Sequence, residues 1–226
     1  MKKTTVRILL LLSLSFISPV FAGNIITDSN MSIEEAFLNV NPDCPYEILE
    51  NQSLIELIYY GYDGRLHKGQ VVMDYRLADD LKAVFRLALK MKFPIAHAVP
   101  ISAPAYFNGT EWDDNLSMAD NNTSGFNYRK AYKQKNLSKH AYGYAIDINP
   151  FDNPYITKNF SVPPGAVYDR SKKGTFYTGH PIVIEFKRRG WTWGGDWANS
   201  KDYQHFQKVP SDSQSSKYKN YIKWDD

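Results

Sequence analysis

The segment of residues 138–147, Ser-Lys-His-Ala-Tyr-Gly-Tyr-Ala-Ile-Asp, constrains the fold more than any other, because it carries two possible metal ligands across a short turn. These are His140 and Asp147. A catalytic zinc ion takes about three protein ligands and leaves a further position open, so a third ligand must come from a distant part of the chain. His205, three residues after Asp202, is the strongest candidate. The fold must therefore bring the middle and the end of the chain to one point.

The residues around Asp147 predict a short strand. Alternation puts Tyr144, Ile146 and Ile148 on one face and Ala145 with Asp147 on the other. A carboxylate in an otherwise apolar strand is costly to bury unless it is paired or bound to a metal. The pattern therefore favours a ligand role for Asp147.

The first 22 residues predict a secretory signal peptide. Three basic residues precede an apolar run at 8–20, and small residues surround a cleavage position near Ala22. The run is shorter than the roughly 20 residues that span a bilayer as a helix. We therefore expect a periplasmic or secreted protein without stable membrane insertion after cleavage.

Charge and cysteine content argue against two other classes of function. Residues 1–22 hold three of the 27 basic and none of the 24 acidic side chains, so the remaining chain is formally neutral. A neutral chain lacks the basic surface that nucleic-acid binding requires, and no nucleic-acid partner is expected. The single cysteine, Cys44, has no histidine near it in sequence. We interpret its role as structural or incidental, because a thiol nucleophile needs a base.

The chain length suits one domain with attached segments. We predict a lead-in at 23–50, a main domain at 51–210 that carries the candidate metal ligands, and a polar tail at 211–226, in a monomer. Turn residues and hydrophobic periodicity indicate the elements inside the domain. The predicted strands lie at 54–60, 70–73, 95–101, 144–148, 191–193 and 203–207, the helices at 75–91 and 180–189, and a long loop lining a site at 102–128.

The other histidines are weaker candidates, because a lone histidine is more often a surface or hydrogen-bonded core residue than a ligand. This applies to His67, His97 and His180. Asp196 is a rival to Asp202 as a catalytic carboxylate, although the preceding Gly-Gly pair indicates a turn.

Two motifs together resemble a known family. Ser138-x-His140-x-x-Gly143-x-Ala145-x-Asp147 and Asp202-x-x-His205-Phe206 are similar to the VanY-like zinc D-alanyl-D-alanine carboxypeptidases and L-alanyl-D-glutamate endopeptidases. The similarity extends from about Tyr59 and includes the segments 126–129 and 190–197. It implies an α+β fold, with a small antiparallel sheet and flanking helices, like that of the hedgehog and DD-peptidase domains.

The resemblance also implies roles for single residues. It makes Asp202 the general base and Arg129 the cation that holds a scissile carbonyl or a substrate carboxylate. Two alternatives stay open: Asp202 orients His205 instead, and Arg129 is a surface cation. The implied ligands of Zn²⁺ are His140, Asp147 and His205, and the implied substrate contacts are Ser138, Tyr128 and Trp197.

The function expected from these roles is hydrolysis of a peptide bond in bacterial peptidoglycan, whose stem peptide is the expected partner. Asp rather than Glu at position 202 favours an endopeptidase, such as one cutting after L-alanine, over a D-alanyl-D-alanine carboxypeptidase. Two alternatives belong to other classes: a zinc-holding cell-wall binding module without catalysis, and a carbohydrate binder that uses the tryptophans.

Overall fold

The computed structural model describes residues 24–131, 134–211 and 220–224. The predicted signal peptide and residues 212–219 and 225–226 of the predicted tail lie outside these ranges. No helix in the described part of the chain is long and apolar enough to cross a lipid bilayer.

Helices and small sheets alternate along the chain, and the predicted α+β class is confirmed. The helices are α1 Ile33–Ala36, α2 Tyr46–Leu49, α3 Ala78–Met91, α4 Asp114–Ala119 and α5 Pro181–Arg188. The strands are β1 Ile26–Thr27, β2 Gln52–Tyr60, β3 Leu66–Asp74, β4 His97–Ala98, β5 Asn122–Thr123, β6 Ala145–Asp147, β7 Tyr155–Ile156, β8 Ser161–Val162, β9 Thr192–Trp193, β10 Lys201–Asp202, β11 His205–Gln207 and β12 Tyr221–Ile222.

The largest sheet is built on the hairpin of β2 and β3, which pair antiparallel along their whole length. The predicted hairpin is thus confirmed, with strands longer than expected. The strand order of this sheet is β1-β3-β2-β12, and both outer strands pair parallel to their neighbours. The antiparallel character expected of the sheet therefore holds for its centre and not for its edges.

The outer strands change the expected roles of both chain ends. In β12, Ile222 is 4% exposed and packs in the main core, so this part of the predicted polar tail is joined to the large sheet. At the other end, the lead-in supplies β1 and buries Ala36 and Cys44 in a second core cluster. The lead-in and the tail each have too few apolar side chains to form a separate core, and these side chains are buried against the domain instead.

Both predicted helices are confirmed with small shifts of their bounds. A 3-10 turn at Tyr75–Leu77 leads into α3, which ends at Lys92 in the left-handed conformation. Its apolar face, including Leu81 and Phe85, packs in the main core. Helix α5 begins after His180, whose ring accepts a hydrogen bond from a backbone N–H of the first turn. Proline at the first helical position suits this start.

The segment between α3 and the metal-ligand motif differs from its prediction. The expected strand at 95–101 is only His97–Ala98, which pairs parallel with β5, and prolines at 94 and 100 remove backbone donors on either side. The expected long loop at 102–128 contains α4 and β5 and is largely folded. Loop composition concealed this helix because it has only six residues.

A three-stranded antiparallel sheet, in the order β6-β11-β9, positions the candidate site. Phe206 pairs with Ile146, and both side chains lie in the main core. The neighbouring pair, His205 and Asp147, therefore projects from the opposite face. The predicted alternation around Asp147 is confirmed by this register.

Candidate metal centre

The three predicted ligands come from two adjacent strands and one turn. His205 and Asp147 are direct cross-strand partners on β11 and β6. His140 lies in a 3-10 turn, Lys139–Tyr142. The backbone N–H of His140 itself donates to the Ser138 hydroxyl, which caps this turn. Gly143 ends this turn in the left-handed conformation, which glycine adopts without steric cost. The turn folds His140 back over the strand pair.

The ligand atoms of this group converge. His205 Nδ1 lies 2.8 Å from Asp147 Oδ1, and His140 Nε2 lies 3.2 Å from Asp147 Oδ2. The two ring nitrogens, His140 Nε2 and His205 Nδ1, are 3.2 Å apart. All three side chains are buried, and their ligand atoms lie within 4.8 Å of one another. The spacing allows all three to contact one ion.

Second contacts fix the orientation of both imidazoles. His140 Nδ1 donates to the carbonyl oxygen of Gly125 at 2.6 Å, and His205 Nε2 donates to Gln207 Oε1 at 3.0 Å. Each ring therefore turns its other nitrogen towards Asp147. Metal-binding histidines make this kind of outer contact, which sets the tautomer and the ring plane. Two facing nitrogen atoms in a buried site need a proton or a cation between them, so the group fits a divalent metal.

The donor set also fits. Two imidazoles and one carboxylate are ligands that catalytic zinc sites use, with a position left for water or substrate. The same donors bind other first-row divalent metals. The residues present could therefore hold a catalytic metal ion.

The charges of the group are strongly coupled. Burial acts to raise the pKa of Asp147, but His140 and His205 outweigh it and hold the pKa well below its usual range. Burial acts to lower the pKa of His205, but the hydrogen bond and charge of Asp147 raise it to about 9. A metal ion must therefore displace a proton from His205, and its binding strengthens as the pH rises.

Asp202 lies on β10, next to the metal group but outside its contacts. A Cβ atom on Gly194 would lie 2.5 Å from the carbonyl oxygen of Asp202, so glycine at 194 permits this close packing. Asp202 Oδ1 is buried without a hydrogen-bond partner in the described residues. Burial is the main cause that raises the pKa of Asp202, and the charge of Asp147 raises it further. The charge of His205 partly offsets both effects, and the resulting pKa is about 7. A carboxylate with this pKa is suited to general-base catalysis near neutral pH.

Arg129 is held by a different partner from the one expected. Its Nη2 donates to Asp114 Oδ2 at 2.5 Å, and its Nη1 donates to the carbonyl oxygen of Lys130 at 3.2 Å. These bonds direct the guanidinium towards α4. The structure thus places Arg129 in a pocket that it shares with Asn127, whose backbone contacts His140, and no hydrogen bond of Arg129 to the three ligands is present among the described residues.

The three predicted substrate contacts lie in different surroundings. The Trp197 ring lies 5.5 Å from the His205 ring and is 36% exposed, so a ligand can reach it. Ser138 is buried, and its hydroxyl caps the turn that carries His140. Tyr128 packs partly against the second core cluster and lines the pocket that contains Arg129.

The weaker candidates have other contacts. His67 is bonded to two carboxylates, and His180 caps α5, with a pKa that burial lowers to about 4. Asp196 forms an exposed ion pair with Lys187. Cys44 is buried and free, and burial raises the pKa of its thiol to about 11, which disfavours the nucleophilic thiolate.

Sequence reasoning missed the residues that orient the ligands. Gln207 follows His205 by two positions on one strand, so period-two alternation could have found it. Gly125 contributes a carbonyl group, which no sequence signal reveals. Asn127 was missed as well; its backbone N–H donates to the His140 carbonyl oxygen at 3.1 Å.

Comparison with known proteins agrees with this geometry. A family model described as D-alanyl-D-alanine carboxypeptidase matches residues 132–208, about a third of the chain. This segment contains His140, Asp147, Asp202 and His205. No curated protein and no solved structure matches the chain. The match supports a metallopeptidase family that acts on peptidoglycan, without distinguishing its carboxypeptidases from its endopeptidases.

Proposed function

We propose that the chain is an exported zinc peptidase that hydrolyses a peptide bond in the stem peptides of bacterial peptidoglycan. One observation carries the proposal: the ligand atoms of His140, Asp147 and His205 converge, and the buried Asp202, with an unpartnered Oδ1 and a pKa raised to about 7, lies beside them. The family match over the same segment supports the proposal independently.

The residues divide the chemistry between them. A zinc ion, when bound by His140, Asp147 and His205, would polarise the scissile carbonyl and make hydroxide available near neutral pH. Asp202 accepts the proton from the attacking water and delivers it to the leaving amine nitrogen, so that the proton lost by one is gained by the other. Burial of the ligand group keeps bulk water from competing for it.

Four further side chains are proposed to contact substrate. Trp197 offers an exposed aromatic face next to His205. Tyr128 and Arg129 line the neighbouring pocket, from which Arg129 would reach the scissile carbonyl if it left Asp114. Ser138 has a structural role in the turn, and any substrate contact adds to it.

Two bonds compete as the point of cleavage. The shorter side chain of Asp202 favours an internal bond, such as the one between L-alanine and D-glutamate. The description of the matching family model favours removal of a terminal D-alanine. We retain the endopeptidase as the first candidate and the carboxypeptidase as the second.

Export is proposed from residues 1–22 alone, with the mature protein in the periplasm or outside the cell as a monomer. Intact-mass measurement of the protein recovered from its native compartment tests this proposal. A mass that starts near Gly23 supports it, and a mass that includes Met1 contradicts it.

Digestion of purified peptidoglycan tests the activity. The protein is assayed with zinc, after chelation and after zinc is restored, and released fragments are weighed by mass spectrometry. Cleavage that chelation abolishes and zinc restores is expected, and the fragment masses identify the bond. Stoichiometric zinc without cleavage would instead favour the non-catalytic binding module.

A further inference from the structure

A polar pocket of about 380 Å³ lies next to the segment that contacts His140. Its lining comes from the N-terminal segment, with Asn39 and Pro42, and from the loop that leads into α4, with Trp112 and Asp114. The segment of Asn127, Tyr128 and Arg129 completes it. All the lining residues precede the segment that the family model matches.

Two lining residues have buried N–H groups without an acceptor among the described residues. These are Asn127 Nδ2 and Arg129 Nε. Asn127 is 6% exposed, and burying an amide donor without a partner costs free energy. A native structure that keeps such a donor at a pocket wall therefore needs an explanation. An acceptor on a bound ligand provides one, since the last side-chain torsion of asparagine is soft and can turn the amide into the pocket.

The same segment connects the pocket to the metal centre. Gly125 accepts the hydrogen bond of His140 Nδ1, and the backbone N–H of Asn127 donates to the His140 carbonyl oxygen. Asn127 is therefore two residues from the carbonyl group that orients the His140 ring, and it is bonded directly to the His140 backbone.

The charge of the pocket selects the kind of acceptor. Arg129 is paired with Asp114, so its charge is largely compensated. Asp113 and Glu111 also line the pocket and leave it with an acidic excess. A carboxylate on the ligand would be repelled by this negative charge, because Arg129 is already paired. A neutral carbonyl group would not be repelled.

We propose that this pocket is a substrate subsite in which Asn127 donates to an uncharged acceptor, a peptide carbonyl or a carboxamide, next to the bond that is cut. The inference rests on the proposed peptidase function and narrows its substrate class. Stem peptides whose nearest free carboxyl group is amidated bind better than those in which it is a carboxylate. Asn127 is a specificity residue, and Asp114 keeps Arg129 from attracting anions.

Binding of a matched peptide pair tests the subsite separately from catalysis. The two stem peptides differ only at the free carboxyl group of the D-glutamyl residue, which is a carboxylate in one and a carboxamide in the other. Their dissociation constants are measured by calorimetry on zinc-loaded Asp202→Asn protein, and their turnover is measured on the wild type. The carboxamide peptide is expected to bind about five- to tenfold more tightly.

Two variants sharpen the test. Asn127→Leu keeps the shape and the backbone hydrogen bond but lacks the donor, so it should lose about fivefold in affinity for the carboxamide peptide with an unchanged or raised melting temperature. Asp114→Asn should shift the preference by about tenfold towards the carboxylate peptide, while Asp113 still caps α4. Asp169→Asn, an exposed turn residue, is the matched control.

The outcomes separate the two proposals. Equal binding of both peptides, tighter binding of the carboxylate, or parallel losses of affinity and melting temperature in Asn127→Leu would overturn the subsite. Absence of turnover in the zinc-loaded wild type would overturn the peptidase function, while the binding data still decide whether the pocket discriminates between the two peptides.

Discussion

Two clusters of histidine and aspartate can be compared in the described part of the chain, and only one of them has the geometry of a metal site. In the first, His140 and His205 each bond outward through one nitrogen and direct the other at Asp147. In the second, His67 contacts Asp28 through Nδ1 at 2.9 Å and Asp63 through Nε2 at 3.1 Å.

Both nitrogens of His67 are therefore occupied by carboxylates on opposite sides of the ring. Within the described ranges, no second histidine is bonded to Asp28 or Asp63, and only the first cluster brings three ligand atoms within 4.8 Å of one another. The comparison teaches that residue types do not define a metal centre. Three ligand atoms that converge on one point define it, and the outer hydrogen bonds orient the rings that carry two of them.

Replacing a histidine in each cluster should give the largest contrast. His205→Ala removes a ligand, so zinc content should fall towards zero and activity to the level of the chelated protein. His67→Ala should keep both zinc and activity, because neither nitrogen faces the metal group. Metal analysis and peptidoglycan digestion measure the two effects. Equal zinc losses in both variants would contradict the distinction between the clusters.

Replacing an aspartate in each cluster's surroundings should give the next largest contrast. Asp202→Asn should lower kcat by about 10²- to 10⁴-fold, because the base is lost, and should leave zinc stoichiometry intact. Asp63→Asn, beside His67, is the matched control and should turn over at the wild-type rate. If Asp202→Asn stays active, Asp202 only orients its neighbours and another group is the base.

The outer hydrogen bonds should contribute less than the ligands themselves. Gln207→Leu removes the acceptor of His205 Nε2 and should weaken zinc affinity by about 10- to 100-fold. Gln70→Leu removes a buried glutamine that bonds Ser29 and Met31, and it should lower stability without changing zinc affinity. Competition with a chromophoric chelator measures the affinities. An unaffected affinity in Gln207→Leu would show that strand pairing alone holds His205.

The smallest effect is expected in the pH dependence of stability after chelation. His205 has a pKa of about 9 against an ordinary 6.5, so its stabilisation is complete below 6.5 and is lost as the pH rises to 9. Asp202 has a pKa of about 7 against 3.8, so the folded state also loses its advantage as the pH rises from 3.8 to 7. The chelated protein should therefore melt at lower temperature as the pH increases.

Zinc should reverse this trend. Metal binding displaces the proton from His205. The difference in melting temperature between zinc-loaded and chelated protein should therefore increase by several degrees from mildly acidic to alkaline pH. Thermal melts of loaded and chelated protein across that range measure it. His67→Ala should show the same increase in this difference as the wild type. A difference that does not change with pH would show that zinc does not displace a proton from His205.

The sequence by itself determined the α+β class, the central hairpin, α3 and α5, because their hydrophobic periodicity and turn residues are local signals. It also selected His140, Asp147, Asp202 and His205, whose spacing within two motifs is local as well. The alternation around Asp147 even predicted which face of β6 meets the core.

Tertiary structure decided what distant segments do to one another. The pairing of β12 with β2, the capture of Arg129 by Asp114 and the orientation of His140 by a backbone carbonyl all depend on contacts between residues far apart in sequence. Composition gives no sign of them, because a paired strand of two residues or a carbonyl acceptor has no side-chain signature. The sequence supplies the residue types that the chemistry of the site requires. Only the packing of β6, β11 and the surrounding segments sets the geometry of the site and the charge of the pocket.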